Sequence, residues 1–191
     1  MARIQPGGWR ELRATGAAAR EIETLGLFAT GLSDAYTVYH NVHWTRVEST
    51  GPLFGTVDFA IVNRAGDVLL VEQLPGLLEE TSSGLVKRHA SGEKRIATRL
   101  AQSREAFLER LARVAVEAQP RVDILLYCPD HAVKSPGSAG IVPERIVDAG
   151  RRGRLCDVVR TLLPEDSATT PGAERIKRFL ADELRLVPDA G

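Results

Sequence analysis

Gly55-Thr-Val-Asp58-Phe-Ala-Ile-Val62-Asn-Arg-Ala-Gly66-Asp-Val-Leu-Leu-Val-Glu72-Gln73 is the stretch that decides the fold. The runs 57–62 and 67–72 are short, aliphatic and rich in β-branched residues, and Asn63-Arg64-Ala65-Gly66 between them is turn chemistry. Two strands of one hairpin are therefore predicted. Asp58 falls inside the first strand and Glu72 at the end of the second, and a tight hairpin returns the chain beside itself. Two carboxylates on adjacent strand ends form a hard-oxygen site of the kind Mg²⁺ favours. A metal so held can polarise a phosphodiester and activate water. Spacing alone leaves the plainer alternative open, that both acids merely solvate a polar strand edge.

Working outward, residues 9–32 carry Leu12, Ile22, Leu25, Phe28 and Leu32 at approximately helical spacing, and Tyr36 to Trp44 alternates like a half-buried strand. The stretch Thr45 to Phe54, with a proline and glycine nearby, reads as a loop. Downstream, Gly84 to His89 suits a short strand. A long helix is predicted over 93–118, with Ile96, Leu100, Phe107, Leu108, Leu111 and Val114 apolar and Pro120 stopping it. Val122 to Tyr127 is an apolar run suited to a central strand. An edge strand is expected around Arg145 to Val147, and two helices near 153–163 and 172–184. No internal repeat is visible. This order predicts an α/β fold, a mixed central sheet flanked by helices, with Leu100, Phe107 and Leu111 packed on the sheet.

Composition narrows the class. The chain has 191 residues, enough for one well-buried domain, and 43% are hydrophobic. Lys plus Arg equals Asp plus Glu at 25 each, so the formal net charge is zero. Coating nucleic acid by charge alone is thereby disfavoured, although a local basic face is not. No apolar run approaches the roughly 18 residues of a membrane span, and the first residues lack the apolar core of a secretory signal. A cytoplasmic protein is expected, with Cys128 and Cys156 as reduced, buried small residues. His40 and His43 fall on opposite faces of a strand and make poor joint ligands; His89 and His131 have no local partners that suggest chemistry. There is no GxxxxGK[ST] loop and no Ser or Cys nucleophile signature.

The run from Gly55 to Gln73 resembles the core of the nuclease-related domain, a branch of the PD-(D/E)xK nuclease superfamily, which shows Gly-Glu-x-Asp, a hairpin and then Glu-x-Lys. The early helix with Glu21 and Glu23 resembles the family's opening helix with its acidic residue. The Gly84-Leu-Val-Lys87 segment and the helix after Lys94 resemble its continuation. Leu125 to Asp130, Arg145 to Asp148 and Leu162 to Pro164 are similar to the N-terminal region of bacterial superfamily 1 helicases that begin with this domain. The resemblance implies a restriction-endonuclease-like fold and a domain over 1–164. It implies a C-terminal helix and tail over 165–191, which in the helicases leads onward. It further implies Asp58 and Glu72 as metal ligands for Mg²⁺, a catalytic set of Asp58, Glu72 and Glu21, and DNA or RNA as partner, with a helicase or helicase domain beside it.

The departures are specific. Glu-x-Lys becomes Glu72-Gln73-Leu74, and leucine cannot stabilise charge developing on phosphate as a lysine would. Gly-Glu-x-Asp becomes Gly55-Thr56-Val57-Asp58, with one acid lost. The family's helical glutamine aligns with Arg99, or with Gln102 one turn on. Lys87, Arg88, Lys94 and Arg99 are the candidate phosphate contacts; a solvated helix face balanced by Glu93, Glu105 and Glu109 is the alternative. The expectation is a nucleic-acid-binding, nuclease-fold domain whose metal-dependent phosphodiesterase site is impaired. An active Mg²⁺-dependent nuclease with a relocated lysine, Lys87 or Lys94, and a non-catalytic partner-binding domain remain the alternatives.

Overall fold

The structure is a computed structural model that describes residues 1–11, 17–48, 51–90, 92–114, 119–183 and 185–186. In chain order the elements are β1 (Arg3–Gln5), α1 (Ala17–Gly31), β2 (Thr37–Glu48), β3 (Gly51–Val62), β4 (Val68–Gln73), β5 (Glu79–Thr81), β6 (Gly84–His89) and β7 (Gly92–Arg95). They continue with α2 (Ile96–Val114), β8 (Val122–Cys128), β9 (Ile146–Asp148), α3 (Leu155–Leu162), α4 (Pro171–Arg178) and β10 (Arg185–Leu186). The main sheet has the order β1-β2-β3-β4-β8-β9, with β10 added beside β2. The neighbours β2, β3 and β4 pair antiparallel, whereas β4-β8 and β8-β9 are parallel. The sheet is therefore mixed, as predicted. A second sheet, β5-β6-β7, and α2 fill the crossover from β4 to β8.

The predicted hairpin is built by its turn. The Asn63 side-chain oxygen accepts the amides of Ala65 and Asp67 at 3.1 and 3.0 Å, and its amide group donates to the Pro164 carbonyl at 3.0 Å. Gly66 closes the turn at φ +84°, where a Cβ would stand 2.8 Å from the Ala173 Cα. Only glycine suits both the left-handed backbone and the close approach of α4.

Period-2 alternation distributes the strands between two apolar layers. On one face Phe59, Ile61, Leu69, Val71, Leu125 and Tyr127 meet α1 and α3 through Leu25, Phe28, Leu32, Leu155 and Val159. On the other, Ala60, Val62, Val68, Leu70 and Val122 meet Phe107 and Leu111 of α2 and Ile176 of α4. A third cluster joins Leu74, Leu126 and Cys128 to Leu85 of the small sheet and to Ile96 and Leu100 of α2. The sandwich is thus helix, sheet, helix, and α2 packs through the three residues its periodicity singled out.

Three boundaries differ from the sequence reading. The stretch Thr45 to Phe54, expected as a loop, is strand on both sides of residues 49–50, which lie outside the described residues: β2 runs to Glu48 and β3 starts at Gly51, with Val47 paired to Pro52 and Trp44 to Gly55. Cross-strand pairing at constant register carries the ladder past residues whose local composition favours a turn. Residues Gly92–Arg95 form β7 rather than the first turn of the long helix, since Lys94 and Glu93 pair with Lys87 and Arg88. The early helix is Ala17–Gly31, preceded by a single 3₁₀ turn at Trp9–Glu11, and Leu12 lies outside the described residues. Residues 115–118 of the predicted long helix, residue 184 and residues 187–191 also lie outside them. No helix among the described residues is long and apolar enough to cross a membrane.

Candidate active site

β4 brings the acid of the hairpin into an apolar stripe. Val68, Leu70 and Leu74 all point toward α2, and Glu72 shares their parity. Its strand neighbour in register is Leu126. The Glu72 side chain is only 3% exposed, and its Oε1 is buried without a hydrogen-bond partner. Asp58 stands where β3 changes face, because Phe59 joins the α1 layer and Val57 the α2 layer. The Gln73 amide donates to Asp58 Oδ2 at 2.8 Å, which fixes that carboxylate against the end of β4, next to Glu72. Burial first, and the neighbouring Asp58 charge second, push Glu72 up to about 8, opposed in part by Arg99. Two acids brought together in an apolar wall cannot both ionise at low cost without a cation.

A cation stands beside Glu72: Arg99, one turn into α2, whose Nη2 lies 3.7 Å from the carboxylate Oε2. Expected on a phosphate-facing border, Arg99 instead has a carboxylate partner inside the fold. Lys87 also lies near, donating from Nζ to the Pro75 carbonyl at 2.7 Å, just past Leu74. Leu74 is buried among Leu78, Leu85, Ile96 and Leu100. A lysine at 74 would therefore start in an apolar cluster.

The remaining predicted residues separate. Lys94 is exposed and faces Lys87 across the β6-β7 pair. Arg88 is engaged by Glu79 at 2.7 Å and Glu93 at 3.2 Å, which cancels much of its charge. Glu21 is half-buried on α1, one turn before Thr24. Thr24 donates to Gln73 Oε1 at 2.6 Å, so this part of α1 lies against the end of β4, on the face opposite the Glu72 stripe. Glu23 instead pairs with Arg152 at 2.8 Å. Asp58 and Glu72 are thus brought together, while the segment of α1 that carries Glu21 meets the end of β4 from the other face through Thr24.

A polar clasp on that second face has no counterpart in the sequence reading. Asp130 accepts Arg20 Nη1 at 2.6 Å and the Gly76 amide at 2.8 Å, tying α1, β8 and the loop after β4 together. Positions 20 and 130 carry no local pattern that links them. His40 is buried against the Pro6 carbonyl, and burial lowers its basicity. His131 Nδ1 accepts the Leu78 amide. Burial pushes the Cys128 thiol up to about 12, which makes it an unreactive core residue. The His43 and His89 side chains lie outside the described residues.

Among the described residues no three His, Cys, Asp or Glu side chains converge as a ligand set. Two carboxylates are nevertheless a fit for Mg²⁺, which keeps several of its own waters and takes one or two protein carboxylates. The unpartnered Glu72 Oε1 is the atom a metal would satisfy. No family model, curated protein or solved structure matches the chain.

Proposed function

We propose that the protein is a nuclease-fold, nucleic-acid-binding module with an impaired metal-dependent phosphodiesterase centre at Asp58 and Glu72. The observation that carries this reading is Glu72, a buried acid with an unpartnered oxygen, set beside Asp58 in an otherwise apolar stripe. A structural strand has no use for such a residue, since leucine at 72 would pack better at lower cost. Asp58 and Glu72 would hold Mg²⁺, which when bound polarises a phosphodiester and lowers the pKa of its water. Gln73 orients Asp58 through its amide. Lys87 and Lys94, on one face of the small sheet, form a short cationic border for phosphate. Impairment follows from Leu74, which supplies no donor where negative charge develops; losing one such donor costs about a hundred- to a thousand-fold in rate. The resemblance to the nuclease-related domain supports the same reading and implies a helicase region as partner.

One observation favours a second reading, an active nuclease with a relocated lysine: the Lys87 amine sits at the Pro75 carbonyl, one residue beyond Leu74. Binding and cleavage of labelled single- and double-stranded DNA and RNA, with and without Mg²⁺, separate the possibilities. Salt-sensitive binding with little turnover is expected. Robust cleavage by the wild type, lost in Asp58→Ala and in Lys87→Ala, would establish the second reading. Absence of any nucleic-acid binding would leave a partner-binding domain.

A further inference from the structure

We infer that Arg99 is the resident counter-cation of Glu72 and exchanges onto a phosphate when a divalent metal enters, so that metal and nucleic acid bind this site cooperatively. The inference rests on the metal-binding reading above. The Arg99–Glu72 contact of 3.7 Å is longer than a hydrogen bond, so the guanidinium balances charge without being locked in place. Glu72 Oε1 remains without a partner even with Arg99 present. A metal ligated by Glu72 at the usual distance of about 2 Å would stand within a few ångströms of the guanidinium. Like charges that close, in a partly buried site, exclude one another.

The backbone of α2 cannot yield, because Ile96 and Leu100 on either side of Arg99 are packed with Leu74 and Leu85. Only the side chain can move, and its 41% exposure gives it a path to solvent. A guanidinium is a planar fork that pairs bidentately with phosphate, so an incoming strand offers the partner that compensates its departure from Glu72. Once Arg99 is drawn away, no cation stands beside the bare Glu72 Oε1 and the neighbouring Asp58, and an incoming metal takes that place. By linkage, whatever phosphate does to metal affinity, metal does to phosphate affinity.

The test is a Mn²⁺ titration followed by electron paramagnetic resonance on the wild type, Arg99→Gln, Arg99→Lys and the double variant Arg99→Gln with Asp58→Asn. Arg99→Gln should bind Mn²⁺ about tenfold or more tightly than wild type, Arg99→Lys should stay near wild type, and Asp58→Asn should remove the gain. A saturating single-stranded DNA oligomer, corrected for Mn²⁺ held by the DNA alone, should tighten Mn²⁺ on the wild type several-fold. It should change Arg99→Gln by less than about twofold. If Arg99→Gln binds Mn²⁺ no better than a wild type that does bind, or if DNA leaves the wild-type affinity unchanged, the exchange is wrong and the metal site stands. If no variant binds Mn²⁺, the metal reading falls and the exchange with it.

Discussion

Replacing Glu72 by glutamine should stabilise the protein, and by an amount that grows with pH. The folded state raises this carboxyl from its ordinary 4.5 to about 8, while the unfolded chain leaves it near the lower value. Below pH 4.5 both states hold the proton and Glu72 costs nothing. Between 4.5 and 8 the unfolded chain releases a proton that the folded protein keeps, so stability falls as pH rises, at about 1.4 kcal/mol per pH unit. Over that span the loss is on the order of 5 kcal/mol, an upper limit, and about 3 kcal/mol of it is present by pH 7. Glutamine has the shape of the protonated acid and does not titrate. Arg99 loses its partner in the variant, but at 41% exposure it can turn to water at little cost. Urea denaturation of wild type and Glu72→Gln at pH 5, 6, 7 and 8, followed by far-ultraviolet circular dichroism, reads the effect of Glu72 together with the Asp58 carboxyl it interacts with, because the other titrating groups are common to both. The stability gap should open from near zero at pH 5 to several kcal/mol at pH 8. At pH 8, Mg²⁺ should stabilise the wild type and not the variant. A variant less stable than wild type at pH 8, or a gap that does not change with pH, would refute the placement of a buried, unsatisfied carboxyl.

Leu74→Lys should lower stability by about 2–4 kcal/mol in urea denaturation, since it removes a buried leucine from the cluster with Leu85 and Leu100. It should still raise Mg²⁺-dependent cleavage above wild type, and that gain should vanish when Asp58→Ala is added. Gly66→Ala should cost about 2 kcal/mol or more by the same assay, because φ is +84° and the new methyl meets the Ala173 backbone at 2.8 Å. Phe107→Ala should cost about 3–5 kcal/mol, since the ring is fully buried and packs edge-on to Phe179 at 5.8 Å.

Local pattern alone determined the hairpin from Val57 to Glu72, the buried strand at Val122 and the amphipathic face of α2, while for Asp58 and Glu72 it offered adjacency as one of two readings. Each of these follows from a period of 2 or 3.6, or from turn chemistry within a few residues, and such signals are written into short stretches of chain. Tertiary structure decided the rest. Residues 45–48 and 51–54 are strand because each half of a long ladder supplies the other's hydrogen bonds, a pairing that neither half displays alone. Arg88 and Arg99 look alike as basic residues in the sequence. One is neutralised by Glu79 and Glu93 on its own small sheet, and the other reaches Glu72 because α2 crosses the end of β4. The burial that perturbs Glu72 is likewise a property of the layer above it: the same glutamate at the end of an uncovered strand would be an ordinary surface acid. Contacts such as Arg20 with Asp130, separated by 110 positions, exist only once the chain has closed on itself. Periodicity records which face of an element is apolar, and only packing determines what comes to lie against it.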